Sequence, residues 1–248
     1  MTAKTLFLAW QDQDRTRRWF PIGRLDADPT RPLYRFRYIR GAEDARCQAG
    51  FRLLDDFPQL KADYLSGELF PLFKNRVMTP GRPDFQDYIR HMDLTGVADP
   101  IEILEVGGGT RATDAFEVFP KLEKQADGAI RCRFFLHGWR HLNNEAQTRL
   151  ERLAPGEKLN LALELTNPAT GHALQIQTTD YVMIGWAPRY LVRDLTSAIL
   201  DGEGNFTAQT VRLNPVPAPS RQRLLVELSG RLTGEEPMTT ADFEPLAA

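Results

Sequence analysis

The residues best placed to do chemistry in this sequence are arginines set among aromatic rings. In AIRCRFFLHGW, Arg131 and Arg133 alternate with Ile130, Cys132, Phe134 and Leu136, so the guanidinium groups share one face of a strand. Gly138-Trp139-Arg140-His141 follows at its end. Farther along, Arg189 and Arg193 lie on one side of a helix that opens after Gly185-Trp186-Ala187-Pro188. Such a set suits a single-stranded nucleic acid, because the cations meet phosphates while rings and guanidinium planes stack on bases. In the competing reading these arginines pair with acids such as Glu151 and Asp194, and Trp139 and Trp186 anchor a core.

Other candidate chemistry is poorly supported. GGGTRATD has the glycines of a phosphate loop but lacks the Gly-Lys-Ser/Thr ending, and IEILEV before it makes a poor strand; an inter-module turn is expected. The histidines are His91, His137, His141 and His172, and none has a metal-ligand spacing. His91 falls on the polar side of its helix, whereas His141 is adjacent to Arg140 and could stack or donate to phosphate. Ser66, Ser197, Ser220 and Ser229 lack a nucleophile-elbow context, and the adjacent carboxylates Asp55-Asp56 and Glu235-Glu236 read as solvated surface. No catalytic constellation results, so a non-enzymatic protein without metal or cofactor is expected.

The chain has 248 residues, 42% of them hydrophobic, enough for two modules with real cores. Its net charge of -2 provides no global basic field, so any nucleic-acid contact must be local. Cys47 and Cys132 are the only cysteines and make neither a disulfide framework nor a metal set, which points to a reducing cytoplasm. No signal layout and no membrane-spanning apolar run is visible.

The elements that must carry these side chains can be outlined. TLFLAW and WFPIGRL read as strands, and LYRFRYI sets Tyr34, Phe36 and Tyr38 against Arg35 and Arg37. RPDFQDYIRHMDL is an amphipathic helix with Phe85, Tyr88, Ile89 and Met92 on one side and Asp84 at its N-cap. A module boundary falls after Pro120, giving residues 1–120 and 121–248. In the second part, NNEAQTRLERL is helical, and KLNLALEL is a half-buried strand with Leu159, Leu161, Leu163 and Leu165 in alternation. HALQIQT and YVMIGW form a hairpin, and PRYLVRDLTSAIL is a helix with Leu191, Leu195 and Ile199 as its buried stripe. FTAQTVRL and QRLLVELSGRL are two more strands. The fold class expected is α+β, mainly β: a small barrel with one packed helix, preceded by a mixed β/α module.

Three strings in this second part, Gly138-Trp139-Arg140-His141, Asn167-Pro168-Ala169-Thr170-Gly171-His172-Ala173 and Gly185-Trp186-Ala187-Pro188-Arg189, occur in the order and at the separations of the HIRAN domain. Residues 131 to 230 resemble that family, whose pattern is Gly-x-Arg-aromatic, then Asn-Pro-Tyr-Asp-x-Asn-Ala, then Gly-Tyr-x-Pro-Arg. The resemblance implies an OB-like barrel that binds single-stranded DNA or exposed DNA ends, with a helicase or nuclease as a protein partner. Arg140 falls on a position the family uses near DNA. The Tyr-Asp pair that stacks terminal bases and holds a 3′-hydroxyl in the family is replaced here by Ala169 and Thr170, which removes a charge-assisted acceptor and a stacking face. The first part resembles, in Gly23-Arg24-Leu25, Tyr34-Arg35-Phe36-Arg37-Tyr38 and the run from Tyr64 to Pro71, the small N-terminal subdomain of HipA-type toxin kinases. That likeness implies an interaction module without phosphoryl transfer.

The sequence thus leads to a DNA-binding accessory protein whose contacts are Arg140, His141, Arg189, Trp139, Trp186, Arg193 and Arg133. The alternative is a protein-interaction or regulatory scaffold that binds no DNA.

Overall fold

The computed structural model describes residues 3–28, 31, 33–96, 98–168, 171–201 and 206–247. It is α+β and mainly β, with antiparallel sheets in two compact units. The first unit comprises Met1–Gln86, Gly96–Lys121 and Met238–Ala248, and the second Asp87–Thr95 and Leu122–Pro237. Two segments therefore fall on the far side of a single cut after residue 120.

In the first unit, β1 (Lys4–Gln11), β2 (Trp19–Asp28) and β3 (Leu33–Tyr38) form a meander. Helix α1 (Arg40–Ala49) and the short strand β4 (Tyr64–Ser66) follow. Next come the single turn α2 (Pro71–Lys74), helix α3 (Phe85–His91), which passes into the second unit at Asp87, and then, again in the first unit, helix α4 (Pro100–Gly107) and strand β5 (Phe116–Pro120). The sheet order is β4-β3-β2-β1-β5, antiparallel throughout. The alternation in LYRFRY has the expected result. Phe36 and Tyr38 are buried, while Arg35 clasps Asp63 and Arg37 reaches Asp26. The Tyr38 hydroxyl donates to the Phe57 carbonyl and accepts from the Leu54 amide, and burial pushes its pKa up to about 12.

The C-terminal segment completes this unit. Pro245 bridges to Ile39, the Leu246 amide donates to the Tyr38 carbonyl at 2.9 Å, and Phe243 packs 4.7 Å from Phe7 between ring centres. No local periodicity marks those residues as part of a sheet near the other end of the chain.

One expectation for the first unit is corrected. IEILEV is not a strand but the body of α4, capped where the Asp99 carboxylate accepts from the Ile101 amide, with Pro100 in the first turn. The glycines of GGGTRATD consequently sit at a helix C-terminus, with Gly108 in the left-handed region at φ 70°. Carbonyls, not amides, face outward there, and the helix dipole repels anions. Asp84, just before α3, holds Arg82: its carboxylate takes both the Nε and an Nη of that guanidinium at 2.9 Å.

The second unit contains β6 (Ala129–Phe135), α5 (Asn144–Leu150), β7 (Lys158–Asn167) and β8 (Gly171–Thr178). β9 (Met183–Trp186), α6 (Val192–Asp201), β10 (Thr207–Leu213) and β11 (Leu224–Arg231) complete it. Sheet order is β6-β11-β10-β7-β8-β9. An isolated antiparallel bridge between His137 and Trp186 joins the segment after β6 to β9, so the hydrogen-bonded order returns to its start. Residues 87–95 belong here because Ile89 and Met92 are buried, Asp93 reaches Arg133 and Arg212, and the His91 carbonyl accepts from Asn214 at 2.8 Å. His91 is half-buried, and desolvation lowers its pKa, so it is not the solvated side chain expected from its helix.

Three boundaries move. The helix expected from Pro188 begins as a 3-10 turn, Arg189–Leu191, and becomes α-helical only at Val192. Tyr181, expected within a strand, stands in the preceding turn at φ 63° and is 79% exposed. β7 is half-buried only at its start: Leu159 is in the core, whereas Leu163 and Leu165 are 41% and 63% exposed. The reason is pairing, since β10 covers β7 only at Lys158 and Leu159.

A charged clasp ties α5 to the turn before β9: Arg149 reaches Glu157 at 2.6 Å and Asp180 at 3.0 Å. The guanidinium, with help from Thr178, lowers the Asp180 pKa from 3.8 to about 2, and Arg149 also lowers that of Glu157. A depressed folded-state pKa stabilises the fold above the unfolded value and is lost as pH falls through the folded one. Thermal stability is therefore expected to fall more steeply between pH ~4 and ~2 in the wild type than in Arg149→Ala. A pH-resolved melting series, with NMR titration of Asp180, checks this; parallel curves would show that the clasp does not contribute.

Candidate nucleic-acid interface

The arginines and aromatics near Gly138 and Gly185 are brought together by close backbone approach. After β6 the chain must turn sharply, and Gly138 does so at φ 73°. A Cβ at Gly138 would stand 2.4 Å from Cε3 of Trp186, so the indole lies directly on this backbone. His137 donates to the Trp186 carbonyl at 2.9 Å and Trp186 donates back to His137 at 3.0 Å. Residues 137–141 and 186–190 are thereby neighbours, and Tyr190 meets the His137 ring edge to face at 6.4 Å.

Trp186 is half-buried and fully engaged. Its Nε1 donates to Glu164 at 3.0 Å, the same oxygen accepts from Gln175, and these bonds lower the Glu164 pKa. Trp139 is 9% exposed, and its Nε1 donates to the Ser220 carbonyl at 2.9 Å. Both tryptophans are therefore anchored through their indole nitrogens, and Trp139 is buried besides.

Arg140 and His141 are exposed on the 3-10 turn Trp139–His141. The Arg140 Nη1 donates only to the Ser220 hydroxyl, at 3.2 Å. Arg189 is exposed at the opening of the turn that leads into α6, and Arg193 is exposed on the first turn of α6 itself. Arg133 stands apart. Its Nε donates to buried Glu227 at 2.7 Å and its Nη1 to Asp93 at 3.4 Å, while Arg131 reaches the same Glu227 at 3.7 Å. That strand face is neutralised by a buried carboxylate. Ala169 and Thr170 lie outside the described residues.

The ion pairing of the second unit separates its arginines. Arg90, Arg131, Arg133, Arg149, Arg212 and Arg231 each have a carboxylate partner. Among the described residues, Arg140, Arg189, Arg221 and Arg223 have none, and neither does Arg152 beyond the end of α5. Arg140 bonds the Ser220 hydroxyl, and Arg223 lies 5.3 Å over the Trp139 ring, whose Nε1 bonds the Ser220 carbonyl. Ser220 and Arg223 were not singled out as site residues from the sequence, because Ser220 meets Trp139 across 81 positions with no repeating pattern between them. Among the described residues, no group of three or more His, Cys, Asp or Glu side chains could hold a metal ion.

No family model matches the sequence, and no curated protein matches it significantly. Among solved structures it is similar to a crystal structure of a protein from Lactobacillus plantarum, at 18% identity over 42% of this chain and 100% of that one. The TM-score of 0.31 is too low to bear on fold or function. Among the described residues, no helix is long and apolar enough to cross a membrane.

Proposed function

We propose that the second unit is a HIRAN-like, non-enzymatic module that binds single-stranded or frayed DNA in the cytoplasm, beside a helicase or nuclease. The observation that carries this reading is the distribution of unpaired cations: Arg140 and Arg189 are exposed without a carboxylate, while Arg131 and Arg133 on the neighbouring strand are neutralised. Exposed guanidinium groups without internal counterions are free to release condensed ions from a phosphate backbone. Arg140 and Arg189 are assigned to phosphates, His141 to a base or phosphate, and Trp139 and Trp186 to positioning the turns that carry them.

Fluorescence anisotropy with single-stranded and blunt duplex oligonucleotides, at low and moderate salt, tests the proposal. Single-stranded DNA should bind more tightly, and Arg140→Ala should weaken binding about tenfold and lower the salt slope by about one. Absence of binding at low salt, or an unchanged Arg140→Ala, would refute it. A second reading, a protein-interaction scaffold, is favoured by Leu163 and Leu165, exposed on the part of β7 that β10 leaves uncovered. A protein partner that stays bound after nuclease treatment, and is lost on Leu165→Lys, would support that reading.

A further inference from the structure

Arg223 is 8% exposed and immediately precedes β11. Its Nη1 donates to the Asn214 carbonyl at 2.9 Å, and its buried Nε has no acceptor. No carboxylate among the described residues pairs with it. An uncompensated buried charge is costly, and a cation–π contact offsets only part of that cost. The guanidinium is nonetheless held over Trp139, and Trp139 is pinned through its Nε1 to Ser220. Arg140, which is exposed, donates to the hydroxyl of the same serine. One buried guanidinium thus lies on the tryptophan, and one exposed guanidinium bonds the serine, of a single hydrogen-bonded Trp-Ser pair.

We infer that Arg140, Ser220 and Arg223 form a phosphate-binding subsite. In the nucleic-acid reading, on which this assignment rests, it receives one phosphodiester of the bound strand. Guanidinium forks match tetrahedral oxyanions with two donors each. The Ser220 hydroxyl, which now accepts from Arg140, can rotate to donate once an anion takes that contact. The anion also supplies the counterion that Arg223 lacks. Trp139 acts as a rigid floor that keeps the buried guanidinium in place, which explains a tryptophan here that stacks no base.

Two probes test the subsite. Inorganic phosphate, titrated calorimetrically at constant ionic strength, should bind the wild-type chain. Binding should weaken about tenfold or more in Ser220→Ala, Arg140→Gln and Arg223→Lys, the scale of one charge-assisted hydrogen bond. Ser220→Ala keeps the falsifying power if Arg223→Lys fails to fold. The second probe is a single-stranded oligonucleotide carrying one neutral methylphosphonate, moved along the strand. One position should weaken wild-type binding about tenfold, and the same substitution should have little further effect in Ser220→Ala. Equal phosphate binding in all variants, or none in the wild type, overturns the subsite. Oligonucleotide binding with no sensitive position also overturns it while leaving the nucleic-acid reading intact. Phosphate binding that the variants lose, without binding of any oligonucleotide, supports the subsite and overturns the nucleic-acid reading.

Discussion

Gly185→Ala is expected to destabilise the second unit by ~3 kcal/mol or more, among the larger effects a single methyl can have. Gly185 has φ 152°, a conformation that L side chains rarely adopt. An added Cβ would stand 2.6 Å from the His137 carbonyl oxygen and 2.7 Å from the Leu136 side chain. The carbonyl belongs to the His137–Trp186 bridge and cannot yield without breaking it. Loss of the bridge would release the His137 and Trp186 amides, so their hydrogen exchange should accelerate beyond the global change in stability. Urea unfolding followed by tryptophan fluorescence measures the stability loss. Gly81→Ala is the control: a Cβ there meets nothing within 4 Å, so its midpoint should stay close to that of the wild type. If Gly185→Ala behaved like the control, closure between β9 and the segment after β6 would not be a determinant of this fold. If the proposed DNA binding holds, the same variant should weaken it, because the bridge joins the segments that carry Arg140 and Arg189.

Arg76→Met is expected to destabilise the first unit by ~3 kcal/mol. The Arg76 side chain is 1% exposed, and its two Nη groups donate to Asp114 at 3.1 and 2.6 Å. Nη1 also donates to the Gly109 carbonyl at 2.9 Å, and the guanidinium lies 5.5 Å over Phe116. This arginine therefore satisfies a carbonyl just beyond the C-terminus of α4 and holds the loop that leads into β5. Methionine fills the volume but leaves that carbonyl and the Asp114 carboxylate without their donors. The carboxylate is 23% exposed, so water recovers part of the loss, which keeps the expectation at the lower end of the range for broken buried pairs. Arg76→Met/Asp114→Leu should lose less than Arg76→Met alone, because no unpaired carboxylate remains. Chemical denaturation of Arg76→Met, Asp114→Leu and the double variant provides the cycle. A double variant that is worse than the single would mean that loop packing, not charge, sets the stability.

Legibility differed by element for physical reasons. The alternation of Phe36 and Tyr38 with Arg35 and Arg37 was readable because a strand has period two and only one face meets the core. α5 was readable from its periodicity, and Asn143 caps it by accepting from the Ala146 amide. α4 was misread because IEILEV is apolar enough for a short buried strand, and helix and strand cannot be told apart over so few residues. The exposure of Leu163 and Leu165 was hidden because alternation reports a strand without reporting where its neighbour ends. Of the site residues, Arg140, His141, Arg189 and Arg193 do stand exposed, whereas Trp139, Trp186 and Arg133 are engaged within the fold. Whether a cation is free depends on its counterion, and the acids concerned lie far away in sequence: Glu227 meets Arg133 across 94 positions.

The sequence by itself determined the α+β, mainly β character of the chain, most of its strands and the glycines at its tight turns. These are properties of local periodicity and of backbone conformations that few residues tolerate. Only the tertiary structure decided that residues 238–247 return to the first sheet and that Gly138 and Gly185 are points of close approach. It also decided that Arg223 is a buried cation over Trp139 beside an exposed Arg140. Those are relations between distant segments, set by which surfaces pack and which charges find partners, and no window along the chain contains them.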